Sequence, residues 1–213
     1  MKLEGERWRT LVSTVRLGRD EYRVVQPGRP LKHAPLYEGY LGVEASVDKA
    51  SAREIAMAWE FAMRSPRTLV YLPLKQSDAE CRWSDGPLLD LVLVHHSLGF
   101  RLSQWKQVRA KLRNGRPHTV VCQGFPKEPD YERLHRKDNR DLLRGEIVAD
   151  TVFVVGSRFA FDVGGQQLKR LVEDCPRHMH ESPGTHCCAE ITEDRQHWKW
   201  LHVVYCDEHR VHA

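Results

Sequence analysis

Four of the six cysteines and seven of the twelve histidines fall between Cys175 and Ala213. Two Cys-x-x-His pairs, Cys175-Pro-Arg-His178 and Cys206-Asp-Glu-His209, bracket this tract. A thiolate and an imidazole three residues apart can bind one ion from a single tight turn, and two such turns complete the tetrahedral shell of structural Zn²⁺. The spacing therefore predicts a Zn²⁺ ion on Cys175, His178, Cys206 and His209, with the 27 residues from 179 to 205 folded between the two knuckles. His180, His186, Cys187 and Cys188 stand in the same tract as competing ligands.

No run of eighteen apolar residues interrupts the chain, and its first residues are too polar for the apolar segment of a signal peptide. A soluble, cytoplasmic protein with no membrane span is the expectation. Thiols stay reduced in that compartment, which favours metal ligation or burial over three disulfides. The neighbours Cys187 and Cys188 would point to opposite faces of one strand. The length of 213 residues with 41% hydrophobic content suits one domain over 1–213, with 175–213 as a zinc-stabilised subregion.

The hydrophobic pattern changes along the chain. Trp8 to Val15 and Tyr22 to Val25 read as short strands before the turn at Pro27-Gly28. Ile55, Ala58, Trp59, Ala62 and Met63 recur at helical spacing, and Ser51 with Glu54 reads as a capping box opening that helix. Thr68 to Leu74, Leu88 to Val94, His118 to Gln123 and Thr151 to Val155 read as strands. Between them Leu102, Trp105, Val108 and Leu112 mark an amphipathic helix stopped by Asn114-Gly115. Gly164-Gly165 reads as the opening of a last helix that Cys175-Pro176 ends, and Cys187 to Ile191 with Trp200 to Tyr205 as a closing hairpin. The result is an α/β or α+β fold: a mixed sheet with packed helices and a C-terminal hairpin carrying the Cys/His metal knuckle.

Arg101 to Arg116 carries six basic side chains and no acidic one, so its helix offers a phosphate-attracting surface. Lys106, Arg109, Lys111, Arg113 and Arg116 are the predicted nucleic-acid contacts. The function this implies is that of a zinc-stabilised, nucleic-acid-associated accessory or regulatory protein. Two other classes compete. One is a metal-dependent hydrolase that activates water with the C-terminal cluster or with His95 and His96, which lie at a predicted strand end. The other is a metal-free module that binds a protein through its hairpin. The patterns His-Glu-x-x-His, Gly-x-x-x-x-Gly-Lys-Ser/Thr and Gly-x-Gly-x-x-Gly are absent, so no common catalytic or nucleotide-binding motif is available.

Overall fold

The computed structural model describes residues 2–39, 42–78, 85–126, 128–136, 138–191 and 201–206, with the backbone alone at Tyr131. Among the described residues eleven strands and five α-helices form a mixed α/β architecture. The strands are β1 (Arg7–Leu17), β2 (Asp20–Pro27), β3 (Leu36–Gly39), β4 (Gly42–Val47), β5 (Thr68–Leu72), β6 (Leu88–His95), β7 (Arg116–Val121), β8 (Arg144–Val148), β9 (Thr151–Gly156), β10 (Cys188–Ile191) and β11 (Leu201–Tyr205). The helices are α1 (Lys49–Arg64), α2 (Trp105–Ala110), α3 (Tyr131–His135), α4 (Arg158–Glu173) and α5 (Cys175–Glu181).

Strand β6 is the branch point of the sheet. One of its edges pairs in parallel with β9 over Asp90 to His95. Its other edge is divided: Leu88 and Leu89 pair with β3, while Leu91 to Val94 pair with β5. From that division one arm runs β5-β2-β1-β7 and the other β3-β4-β11-β10, and β8 closes the sheet beyond β9. The strands at the two ends of the chain thus lie far apart in the sheet order, and each arm carries one candidate site.

The apolar runs read as strands are buried on both faces, and their alternation separates two cores. Val70, Leu72, Leu91, Leu93, Val152 and Val154 enter the larger core with α1 and α4. Leu69, Tyr71, Val92, Val94 and Phe153 face the other way and meet Trp105 and Val108 of α2. A fully buried Val, Leu or Phe side chain contributes about 1.5–3 kcal/mol relative to exposure, so these two layers dominate the stabilisation.

Two local expectations are corrected. The cap of helix α1 is Asp48 and not Ser51: the Asp48 carboxylate accepts the Ser51 backbone N–H at 2.7 Å and so caps a helix beginning at Lys49. Gly164 and Gly165 lie inside α4, which begins at Arg158 behind the Ser157 cap. A Cβ at Gly164 would stand 2.9 Å from the Trp59 ring and one at Gly165 would overlap Phe125, so these glycines serve close packing and not a turn. Helix α4 ends at Glu173, just before Cys175-Pro176 as the sequence predicts, and Pro176 then occupies the first turn of α5, where its missing N–H costs nothing.

Candidate metal centre and basic cleft

The C-terminal hairpin forms as the sequence predicts, β10 antiparallel to β11, and β11 adds in parallel to β4. Ala189, Ile191, Leu201 and Val203 turn into the larger core beside Val43 and Ala45. By alternation Cys188, Glu190, His202 and Glu44 share the opposite face. The register sets Glu190, His202, Glu44 and Tyr37 in one row across four strands.

His186, just before β10, completes a cluster on that face. One ligand atom from each of His186, Cys188 and His202 lies within 4.8 Å of the others, so this group can hold a metal ion. Bond lengths of about 2.0–2.3 Å in a tetrahedral zinc site imply ligand separations of roughly 3.3–3.8 Å, which small side-chain rotations would reach. Burial, and then His186, lower the pKa of His202 against the opposing pull of Glu44 and Glu190. The net shift favours the neutral imidazole, the form that ligates. Burial, and then Glu190, raise the Cys188 thiol. A cation at this point would oppose that shift by stabilising the thiolate.

The four residues first expected to bind zinc are not brought together among the described residues. Cys175, buried at the start of α5, is joined to Cys187 in a disulfide, so in this state it offers no thiolate and the tract is not uniformly reduced. His178 is exposed on α5, as is His180, and Cys206 follows β11 half-buried. His209 lies outside the described residues. Of the competitors, His186 and Cys188 join the cluster and Cys187 does not. His202 was missed because its partners are adjacent only through the register of the hairpin, which residue spacing does not encode.

The second feature lies on the other arm. A cleft of about 1280 Å³ runs between β1, β2, the end of α1 and the segment from α2 into β7. Arg16, Arg23, Lys111, Arg113, Arg116 and His118 line it, against the single carboxylate of Glu21. Arg16 is engaged with Glu21 at 2.6 Å, and the Lys111 ammonium donates to the Arg16 carbonyl at 3.2 Å. Three of the five basic residues predicted from the sequence therefore line the cleft. Lys106 is exposed on α2 and forms no part of this lining.

Arg109 turns inward. Its guanidinium lies 3.5 Å from the Asp90 carboxylate and 3.3 Å from the Thr151 hydroxyl. Asp90 is 4% exposed and also accepts from the Tyr71 hydroxyl at 2.8 Å and the Lys75 backbone N–H at 3.0 Å. The Trp105 indole N–H donates to the Thr151 hydroxyl at 2.9 Å. Burial, then the Asp90 charge, push the Tyr71 phenol far above its ordinary pKa, so it remains a donor. This buried network fastens α2 to the sheet and thereby fixes the wall of the cleft that carries Lys111 and Arg113.

His95 and His96 sit at the C-terminal end of β6, as predicted. The Nδ1 atom of His95 accepts the Ser97 backbone N–H at 3.3 Å and lies 2.7 Å from the Ser97 hydroxyl, capping the 3₁₀ turn His96–Leu98. Burial, and then His96, lower the pKa of His95. Its hydrogen bonds are local ones that a turn requires.

Among the described residues no helix is long and apolar enough to cross a membrane. No protein-family model matches the chain, and no curated protein or solved structure matches it significantly.

Proposed function

We propose that this protein is a nucleic-acid-associated accessory or regulatory factor that holds the phosphate backbone in the basic cleft, with Zn²⁺ on His186, Cys188 and His202 stabilising the far arm of its sheet. The observation that carries the reading is the charge of the cleft: five Arg and Lys residues line one groove together with a single carboxylate residue. Cations gathered in a concave wall raise the local concentration of a polyanion, and phosphate contacts position it without reading sequence. Arg16 and Arg23 were not among the predicted contacts, because they reach the cleft from β1 and β2, far in sequence from the basic helix. A structural role for the ion is supported by its location, since β10 and β7 are opposite ends of the main strand order.

The test is fluorescence anisotropy of labelled single-stranded and duplex oligonucleotides of mixed sequence, at low ionic strength. Wild-type protein is expected to bind with little sequence preference, and the Arg113→Gln/Arg116→Gln variant to bind at least tenfold more weakly at unchanged thermal stability. Equal binding by the two proteins, or none by either, removes the proposal.

A further inference from the structure

The residue that separates two metal-ligand candidates is itself bonded. His186 and Cys188 flank Cys187, and Cys187 is tied to Cys175 at the start of α5. Its side chain packs against the larger core, and its carbonyl accepts the Tyr205 N–H at 2.9 Å, which holds the start of β10 beside β11. In an extended chain successive side chains alternate, so a one-residue slip would transfer every side chain to the other face. With Cys187 anchored toward the core, Cys188 is directed to the face where His202 stands. The preceding segment, from Ser182 to Thr185, bends back on itself through bonds of Thr185 to the Ser182 carbonyl. The disulfide is thus the covalent fixture of the stretch that delivers two of the three ligands.

We infer that the Cys175–Cys187 disulfide assembles the metal site, so that the oxidised chain binds a zinc-class cation more tightly than the reduced chain. The inference rests on the reading of His186, Cys188 and His202 as metal ligands. It assigns the bridge a role other than clamping α5 to the sheet: it keeps Cys187 against the core and so holds His186 beside the face that β10 and β11 give to Cys188 and His202. Reduction by a dithiol breaks the S–S bond. Two electrons and two protons pass to the two sulfurs, giving two thiols, and the dithiol becomes a disulfide. Residues 182–186 then lose their covalent tie to α5 and the preorganisation of His186 is lost, while Cys188 keeps its place in β10. Coupling between two such sites is commonly 5- to 150-fold, and by reciprocity bound metal protects the bridge by the same factor.

The experiment uses the full chain with the bridge intact, titrated with Zn²⁺ against a chromophoric chelator and with Co²⁺, whose thiolate charge-transfer band reports ligation by Cys188. The same titrations are made after reduction with a water-soluble phosphine, which leaves as its oxide with oxygen from water, and on Cys175→Ser/Cys187→Ser, which removes both competing thiols. Affinity is expected to fall roughly tenfold or more in both. Should the variant fail to fold, the converse measurement needs none: saturating Zn²⁺ should make the wild-type bridge harder to reduce by the same factor, about 30 mV for each tenfold. Equal affinity in the two states, or tighter binding after reduction because Cys187 becomes a ligand, overturns the inference while leaving the metal site standing. Absence of binding in every state overturns both.

Discussion

Replacing Arg109 by methionine separates what the basic helix does for the fold from what it does for a ligand. Asp90 is 4% exposed, and the substitution removes the only cation beside it that the described ion pairs contain. Breaking a fully buried pair costs about 3–5 kcal/mol because the remaining charge is uncompensated. Two features reduce that figure. Arg109 is 31% exposed at its side chain, and Asp90 keeps its hydrogen bonds from Tyr71 and Lys75. The expected loss is about 1–3 kcal/mol, and at this chain length each kcal/mol lowers Tm by about 2–4 °C, giving a fall of roughly 2–12 °C. Oligonucleotide affinity, measured by anisotropy well below the transition, should stay within about twofold of wild type, since the guanidinium does not line the cleft and Trp105 and Val108 still hold α2 on the sheet. Arg113→Gln should do the opposite, weakening binding with no change in Tm. The reasoning is refuted if Arg109→Met weakens binding as much as Arg113→Gln while Tm holds.

Other positions test the packing and the electrostatics. Gly165→Ala inserts a Cβ into the Phe125 ring and should cost about 1–3 kcal/mol in a denaturant titration, against the small gain an alanine gives in an open helix; a stabilised variant would show that the contact relaxes freely. Asp162, in α4, has its pKa raised, chiefly by burial, with Gln166, Arg158 and Lys169 acting against the shift. Its ionisation therefore opposes folding, a penalty present in full above the raised folded pKa and gone below the unfolded value of about 3.9. Asp162→Asn should be more stable than wild type at pH 7, with the advantage vanishing as pH falls below that value. A difference independent of pH in thermal melts would assign the effect to packing.

The strands were legible wherever they are buried on both faces. Leu88 to Val94 and Thr151 to Val155 read as apolar runs because the sheet is covered by α1 and α4 on one side and α2 on the other. Helix boundaries were less legible, since Asp48 and Ser51 are both competent caps and only the bond between them decides which is used. The metal tract shows the limit of spacing most clearly. Cys-x-x-His marks a knuckle only if both residues stay on one turn and the cysteine sulfur stays free, whereas α5 buries Cys175 and the bridge to Cys187 uses it. His202 meets His186 and Cys188 through strand pairing across a gap in sequence, a relation no local pattern contains. Charge was legible as composition but not as direction: Arg109 and Lys106 belong to the same basic run as Arg113, yet one enters the core network and the other points away from the cleft.

The measurement that tests the account most directly is the salt dependence of oligonucleotide binding. Setting aside Arg16, which is engaged with Glu21, the cleft offers Arg23, Lys111, Arg113 and Arg116 to phosphates. Each neutralised phosphate contributes about −0.9 to the slope of log K against log salt for duplex and about −0.7 for a single strand, so the expected slopes are about −3.6 and −2.8. Removing Arg113 and Arg116 together should halve both. A slope near zero, or one that the double substitution leaves unchanged, would contradict the proposal that this cleft holds a nucleic-acid backbone.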